Sequence, residues 1–482
     1  MSRLVVGPFN RVEGDLEVKL DIEDQTVTRA EVVSPLYRGF EEMLRGKDPR
    51  DALVIVPRIC GICSVSQSIA AAEALGEAQG LMPTPNGQLV SNIVHACENI
   101  ADHLTHFYMF FMPDFARSVY ADQAWYSDVS ERFEAMKGTA VQDVLPRRAE
   151  FFHIVGILAG KWPHTLALQP GGVTKTVAKH ELHRLMALVK NFRRFLEREV
   201  IGFDLQAFSA LSSRDELMVL VDQHGPTHSD LFRFVDLSRR LGLNRLGRAT
   251  DRFLSFGAYR SGTTHLFERG LYRGGEDHQL NSGLITEDLS HAWMNGPDAA
   301  LHPFDGVTET DPEMTDGYSW CKAPRLEGKP AEVGALSRQV VAGHPLARDL
   351  VATGGNVEAR VLARFLEMAL LVPMLETWLG EIKTPDPFMA HASMPDNAKG
   401  AGMVEAARGA LGHWLTIENG KIENYQIIAP TTWNFSPRDQ AGQPGPLETA
   451  LIGARVQSGE TGPVSVQHIV RSFDPCMVCT VH

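Results

Sequence analysis

Two Cys-x-x-Cys pairs stand near opposite ends of this 482-residue chain: Cys60 and Cys63 in RICGICSVSQ (residues 58–67), and Cys476 and Cys479 in the closing run SFDPCMVCTVH. Six cysteines in all are too few for a disulfide scaffold at this length. A two-residue spacing lets a turn aim both sulfurs at one centre. Four thiolates suit soft or borderline metals such as nickel, zinc or an iron–sulfur cluster, and disfavour magnesium or calcium. A structural zinc ribbon is the plain interpretation, with disulfides behind it. Ribbons usually close over roughly 15–20 residues, whereas more than 400 residues separate these pairs. A site using all four sulfurs obliges the fold to join the two ends of the polypeptide. Such a site organises chemistry inside the fold more readily than it staples a loop.

Length alone suggests about three domains at ~150 residues each. No Ser/Gly linker, low-complexity tract, like-charge block or internal repeat marks a boundary, so one intertwined domain over residues 1–482 is expected. A formal charge of −13 repels phosphate backbones and argues against nucleic-acid binding. The start MSRLVVGPFNRVEG lacks the apolar stretch of a signal peptide, and no apolar run approaches the ~18 residues of a membrane span, so a cytoplasmic protein without membrane insertion is expected.

Period-two alternation of Leu16, Val18, Leu20 and Ile22 with Glu17, Lys19 and Asp21 predicts a strand, and residues 27–34 can pair with it. Asn419-Gly420 between residues 414–418 and 421–428 predicts a hairpin, because both residues accept the left-handed angles of a type I′ turn. Helices are predicted over 64–80, 86–112, 179–201 and 357–383, the last kinked at Pro373, which has no N–H to donate. Weak periodicity with frequent Gly and Pro predicts extended surface structure over about 270–343.

Beyond the cysteines, a series of motifs runs in order along the chain: NRVEG (10–14), YRGFE (37–41), HFY (106–108), PGGVT (170–174), YSWCKAPR (318–325), EAARGALGHW (405–414), PTTWN (430–434) and DPCMVCTVH (474–482). With RICGIC they resemble the large subunit of nickel–iron hydrogenases over nearly the whole length. The resemblance implies an α+β, mainly α-helical fold with a long-helix core and small peripheral β-hairpins. It also implies heterolytic cleavage of H2 at a NiFe(CN)2(CO) centre, with nickel held by Cys60, Cys63, Cys476 and Cys479, and Cys63 and Cys479 bridging to iron. Arg408 matches an arginine over the open bridging position, oriented by Asp114 and Asp474 through charge-assisted hydrogen bonds. Glu13 matches a glutamate taking a proton from the sulfur of Cys479, and Thr431, Gln67 and the backbone around Arg408 match groups that hydrogen-bond the centre. Glu41, the carbonyl of Ile427 and His482 match a second site for Mg2+ or a similar hard ion. Outside the family context Arg408 reads as a buried ion pair, Glu13 as a solvated turn residue and Glu41 as a partner of Arg38.

Several positions depart from the common pattern. Gln67 replaces a frequent histidine and cannot titrate near neutrality; Asp15 likewise stands where His is common. Ile62 and Phe110 are bulkier than the Val and Leu frequent at the inner end of the family's gas tunnel. These features resemble the regulatory, hydrogen-sensing branch, which implies low turnover and a sensor histidine kinase as a further partner. An energy-conserving uptake hydrogenase is the alternative, and a non-catalytic relative of the complex I subunit a more remote one. Cys97 and Cys321 remain over, and two separate thiols cannot ligate a cluster. Both are expected to pack as small apolar residues. Iron–sulfur clusters are therefore expected in a partner small subunit, in a heterodimer or a dimer of heterodimers.

Overall fold

The computed structural model describes residues 2–457 and 459–482. Its core is a set of long helices. Pro85–Thr105 starts with proline at its first turn, where no N–H is needed, and Thr84 Oγ1 accepts from the Gly87 N–H. Val357–Glu381 is capped by Asn356, whose side chain accepts from the Ala359 N–H, and carries Pro373 inside it. It packs against Pro85–Thr105 and Lys179–Phe195, while Thr139–Ala159 covers another flank. Pro85–Thr105 does not run to residue 112 as a plain α-helix: residues His106–Phe111 widen into a π-turn. No helix among the described residues is long and apolar enough to cross a membrane.

Of three three-stranded antiparallel sheets among the described residues, two carry segments of the metal centre, and the third is built from Arg252–Ser261, Thr264–Arg273 and Glu276–His278. In the first, Glu17–Glu23 pairs with Thr26–Val33 as the alternation predicts, with Leu16, Val18 and Leu20 fully buried. A third strand, Ser2–Val6, adds to its other edge. In the second, Gly409–Glu418 and Lys421–Ile428 form the expected hairpin, with φ of 52° at Asn419 and 72° at Gly420. Ala398–Ala406 completes that sheet and lies directly on the helix Ser64–Ala78. Gly400 and Gly402 make this possible, since a Cβ on them would stand 2.0 Å from the Ala74 carbonyl oxygen and 1.9 Å from that of Ala70.

The expectation for residues 270–343 is corrected in part. Strand Ala323–Leu326 is buried throughout, and helix Ala335–Val341 buries most of its residues, including Arg338. Charged side chains hide this segment from hydropathy. Arg325 donates through Nε to Asp439 at 2.7 Å, and Arg338 forms a two-pronged pair with Glu367 at 2.6 and 2.7 Å, so ions are interior here because they are matched.

Candidate metal centre

Cys60 follows a short 3-10 turn, Val56–Arg58, and Cys63 stands immediately before the helix Ser64–Ala78. The last helical turn, Met477–Thr480, starts directly after Cys476 and carries Cys479. These two segments meet. The four Sγ atoms lie within 4.8 Å of one another, all buried, with Cys60–Cys476 at 3.5 Å, Cys63–Cys479 at 3.1 Å and Cys476–Cys479 at 3.0 Å. Those separations are far beyond the ~2.04 Å of an S–S bond, and all four are free thiols. Arg38 ties the halves together, its Nη2 donating to the Ile59 carbonyl at 2.6 Å and to the Val478 carbonyl.

The thiols press on one another electrostatically. Neighbouring thiols and the Arg408 charge pull Cys60 well below its ordinary pKa. Hydrogen bonding to Cys476 and burial push Cys63 up, and burial first of all raises Cys476 and Cys479. Four thiolates are thus unstable in this pocket by themselves, and a bound cation is what makes the fully ionised set favourable. This donor set fits nickel with a second thiophilic metal beside it.

The N-terminal motif is stitched to the same place. Glu13 pairs with Cys476 in a short parallel bridge, and its carbonyl accepts from the Met477 N–H at 2.7 Å. Gly14, at φ +83°, permits this approach, because a Cβ there would stand 3.1 Å from both Met477 and Val478. The Glu13 carboxyl is raised, by partial burial and then by the Cys60 charge, while Arg408 and Arg38 oppose the shift.

Arg408 occupies the two-residue tip between Ala406 and Gly409. Gly409 leaves no room for a Cβ, which would stand 2.5 Å from the Gly334 nitrogen. Arg338 steadies the tip from behind by donating to the Ala406 and Ala407 carbonyls at 3.1 and 3.3 Å. The Arg408 guanidinium binds Asp102 at 2.7 and 3.3 Å, and Asp474 through its carboxylate at 3.0 Å and its carbonyl at 2.8 Å. Burial lifts Asp102 to about 7, whereas Asp474, also buried, is held below its ordinary value by Arg408 and His106.

Asp114 departs from expectation. It accepts two hydrogen bonds from Arg471, at 2.9 and 2.7 Å, and one from Arg11, and no hydrogen bond joins it to Arg408 among the described residues. Asp102, twelve residues earlier on the buried face of Pro85–Thr105, takes the place foreseen for it. The π-turn and proline between them turn Asp114 toward Arg11, past the end of the N-terminal strand, and toward helix Val464–Ser472.

A model of the family described as nickel-dependent hydrogenase matches residues 38–144 and 229–482. The chain belongs to the nickel-dependent hydrogenases. The periplasmic [NiFeSe] hydrogenase large subunit of Desulfomicrobium baculatum is 30% identical over 516 aligned residues, which take in 100% of this chain and 95% of that one. The uptake hydrogenase large subunit of Rhodobacter capsulatus and the hydrogenase-1 large chain of Escherichia coli K12 are each 28% identical, again over 100% of this chain and 95% of theirs. The solved structure of H2-activated D. baculatum [NiFeSe]-hydrogenase superposes with a TM-score of 0.85 at 29% identity, covering 100% of both chains. The fold is that of the hydrogenase large subunit, and the chain is a hydrogenase.

The remaining sequence-derived residues of the hydrogenase gather into two places. Thr431 Oγ1 accepts from the Cys476 N–H at 3.3 Å, and Thr432 Oγ1 donates to the Thr480 carbonyl at 3.0 Å, clamping the C-terminal turn. Gln67 is fully buried one turn beyond Cys63. Glu41, Ile427 and His482 converge elsewhere: Glu41 Oε1 accepts from the Ile427 N–H at 2.8 Å, and the His482 ring sits between the Ile427 and Cys479 carbonyls, Nε2 within hydrogen-bond reach of the first and Nδ1 3.0 Å from the second. Lys322 Nζ, 3.0 Å from Glu41 Oε2, replaces Arg38 as the cation beside Glu41. Both Glu287 oxygens face this pocket without a hydrogen-bond partner among the described residues, and burial lifts that carboxyl to about 7. Lys322 Nζ stands 3.9 Å from Glu287, too far for a hydrogen bond, and two carboxyls beside a carbonyl and an imidazole kept neutral by burial are oxygen-rich donors of the kind a hard cation with bound waters takes. Cys97 and Cys321 are both buried, apart from the four-sulfur cluster.

Arg38 and Asp102 were not singled out as site residues from sequence. A buried Asp on a helix face has no local signature, while Arg38 in YRGFE carried the signal of its motif and went to the wrong partner.

Proposed function

We propose that this chain is the hydrogen-cleaving subunit of a nickel–iron hydrogenase, acting as one unit over residues 1–482 and passing electrons to a partner small subunit that holds iron–sulfur clusters. The observation that carries this is the convergence of four buried thiols from both ends of the chain. When bound, a NiFe(CN)2(CO) centre supplies a redox-active Lewis-acid pair that polarises H2 for heterolysis. Cys60, Cys63, Cys476 and Cys479 would hold this centre through their thiolates, Cys60 and Cys476 toward nickel and Cys63 and Cys479 as the pair shared with iron. Arg408, pinned by Asp102 and Asp474, presents a fixed positive charge to the open side of the centre. Cys479 Sγ receives the proton, and Glu13, whose raised pKa suits a proton carrier, takes it outward. Glu41, the Ile427 carbonyl and His482 would hold Mg2+ or a similar ion, which would brace the C-terminus.

Relatives named uptake hydrogenases support steady H2 oxidation as the physiological role. A hydrogen-sensing role, with a histidine kinase as output partner, is favoured by three residues of this chain: non-titrating Gln67 beside the cysteines, and bulky Ile62 and Phe110. Metal analysis and infrared spectroscopy of the heterodimer test the centre: nickel, iron and carbonyl and cyanide bands are expected, all lost in Cys479→Ser. Zinc without such bands sinks the proposal. H2-dependent dye reduction and a kinase pull-down separate the two roles, high turnover without kinase contact favouring uptake.

A further inference from the structure

Resting on the nickel–iron reading above, we propose that His413, backed by Tyr425, is a positioning residue for the metal centre: it fixes the Gln67 amide so that the NH2 end faces the sulfurs. Gln67 Oε1 lies 2.8 Å from His413 Nε2, and His413 Nδ1 lies 2.8 Å from the Tyr425 hydroxyl. All three residues are fully buried. Gln67 Nε2 has no hydrogen-bond partner among the described residues. A buried N–H without an acceptor is costly, so the acceptor belongs to what the centre brings when assembled.

The direction of the chain follows from charge. A neutral imidazole has one N–H and one lone pair. With the Gln67 carbonyl toward His413, the N–H must sit on Nε2, and Tyr425 must donate to Nδ1. Reversing the amide would reverse every bond and turn the carbonyl lone pairs toward a set of thiolates, which repel them. An anionic sulfur cluster therefore selects the first arrangement. Gln67 stands on the helix that begins after Cys63, one turn on, its N–H bonded to the Cys63 carbonyl at 3.1 Å. His413 and Tyr425 stand on the paired strands Gly409–Glu418 and Lys421–Ile428. Two rigid elements thus lock one rotatable amide.

A hydrogen bond donated to a metal-bridging thiolate draws electron density from it, and so weakens donation from iron into carbonyl and cyanide. Infrared spectra of the assembled heterodimer read this directly. His413→Leu and Gln67→Leu are expected to move the carbonyl and cyanide stretches to lower wavenumber, and Tyr425→Phe to move them less in the same direction. The double variant Gln67→Leu/His413→Leu should match Gln67→Leu alone, because His413 acts through Gln67. His413→Gln, which keeps an N–H for the Gln67 carbonyl, should restore the native bands. Unmoved bands in His413→Leu, or shifts that add in the double variant, overturn the proposal. Where His413→Leu does not fold, Tyr425→Phe and His413→Gln decide it by the same band positions. A native protein without these bands overturns the nickel–iron reading, and this proposal with it.

Discussion

Replacing Gly402 with alanine places a methyl group 1.9 Å from the carbonyl oxygen of Ala70 and 2.8 Å from the Ala74 nitrogen. To reach even 3.0 Å from that oxygen, strand Ala398–Ala406 and helix Ser64–Ala78 must part by about 1.1 Å. Neither obstacle is a side chain that can rotate away, so the cost lies at the upper end of overpacking, about 3 kcal/mol. The helix begins at the residue after Cys63, and the strand ends two residues before Arg408. Separating them displaces opposite walls of the metal centre, and a misplacement of about 1 Å in a reacting constellation lowers rate by roughly 10²-fold. The expected outcome for Gly402→Ala is a lower melting temperature and a roughly 10²-fold drop in H2-dependent dye reduction per nickel bound. Gly156→Ala is the control. It sits exposed in the helix Thr139–Ala159 with nothing within 4 Å of the added methyl, so activity should hold and stability should rise by about 0.5–1 kcal/mol. Native melting and native per-nickel activity in Gly402→Ala would refute the idea that direct backbone packing sets the site.

Three further outcomes follow. Arg408→Lys loses the planar fork that grips Asp102 and Asp474, and H2 oxidation should fall by ~10²-fold or more while circular dichroism stays native. Asp102→Asn and Asp114→Asn should separate: the first lowers turnover, whereas the second, which weakens a buried pairing with Arg11 and Arg471, costs roughly 3–5 kcal/mol of stability in denaturant titration. Glu448 is raised from 4.5 to about 7 by burial, so its favourable contribution is complete below about pH 4.5 and lost as pH climbs through 7, roughly 3 kcal/mol in all. Glu448→Gln keeps the acceptor for the Val32 N–H and Tyr318 hydroxyl on one oxygen and puts a neutral group at the other, whose ion-pair partner, Arg438, stands 3.9 Å away without a hydrogen bond, so its melting temperature should exceed the native one at pH 8 and converge with it near pH 5.

Local chemistry was legible without coordinates wherever neighbouring residues carried it. The Asn419-Gly420 hairpin, the alternating strand at Glu17–Glu23, the periodicity of the long helices and the two cysteine pairs are short-range patterns whose physics acts within a few residues. Motifs at both termini were enough to place the chain in its family and to name its four sulfurs. Tertiary structure alone chose between Asp102 and Asp114 as the partner of Arg408, because that choice depends on a π-turn that re-aims everything after His106. It also decided that residues 323–326 and 331–340 lie inside, since paired ions such as Arg338 with Glu367 are polar by composition yet interior by pairing, and their partners are distant in sequence. Arg38 spanning both cysteine segments, and the Gln67–His413–Tyr425 chain, belong to the same class: their energies arise from groups that only folding brings within hydrogen-bond reach.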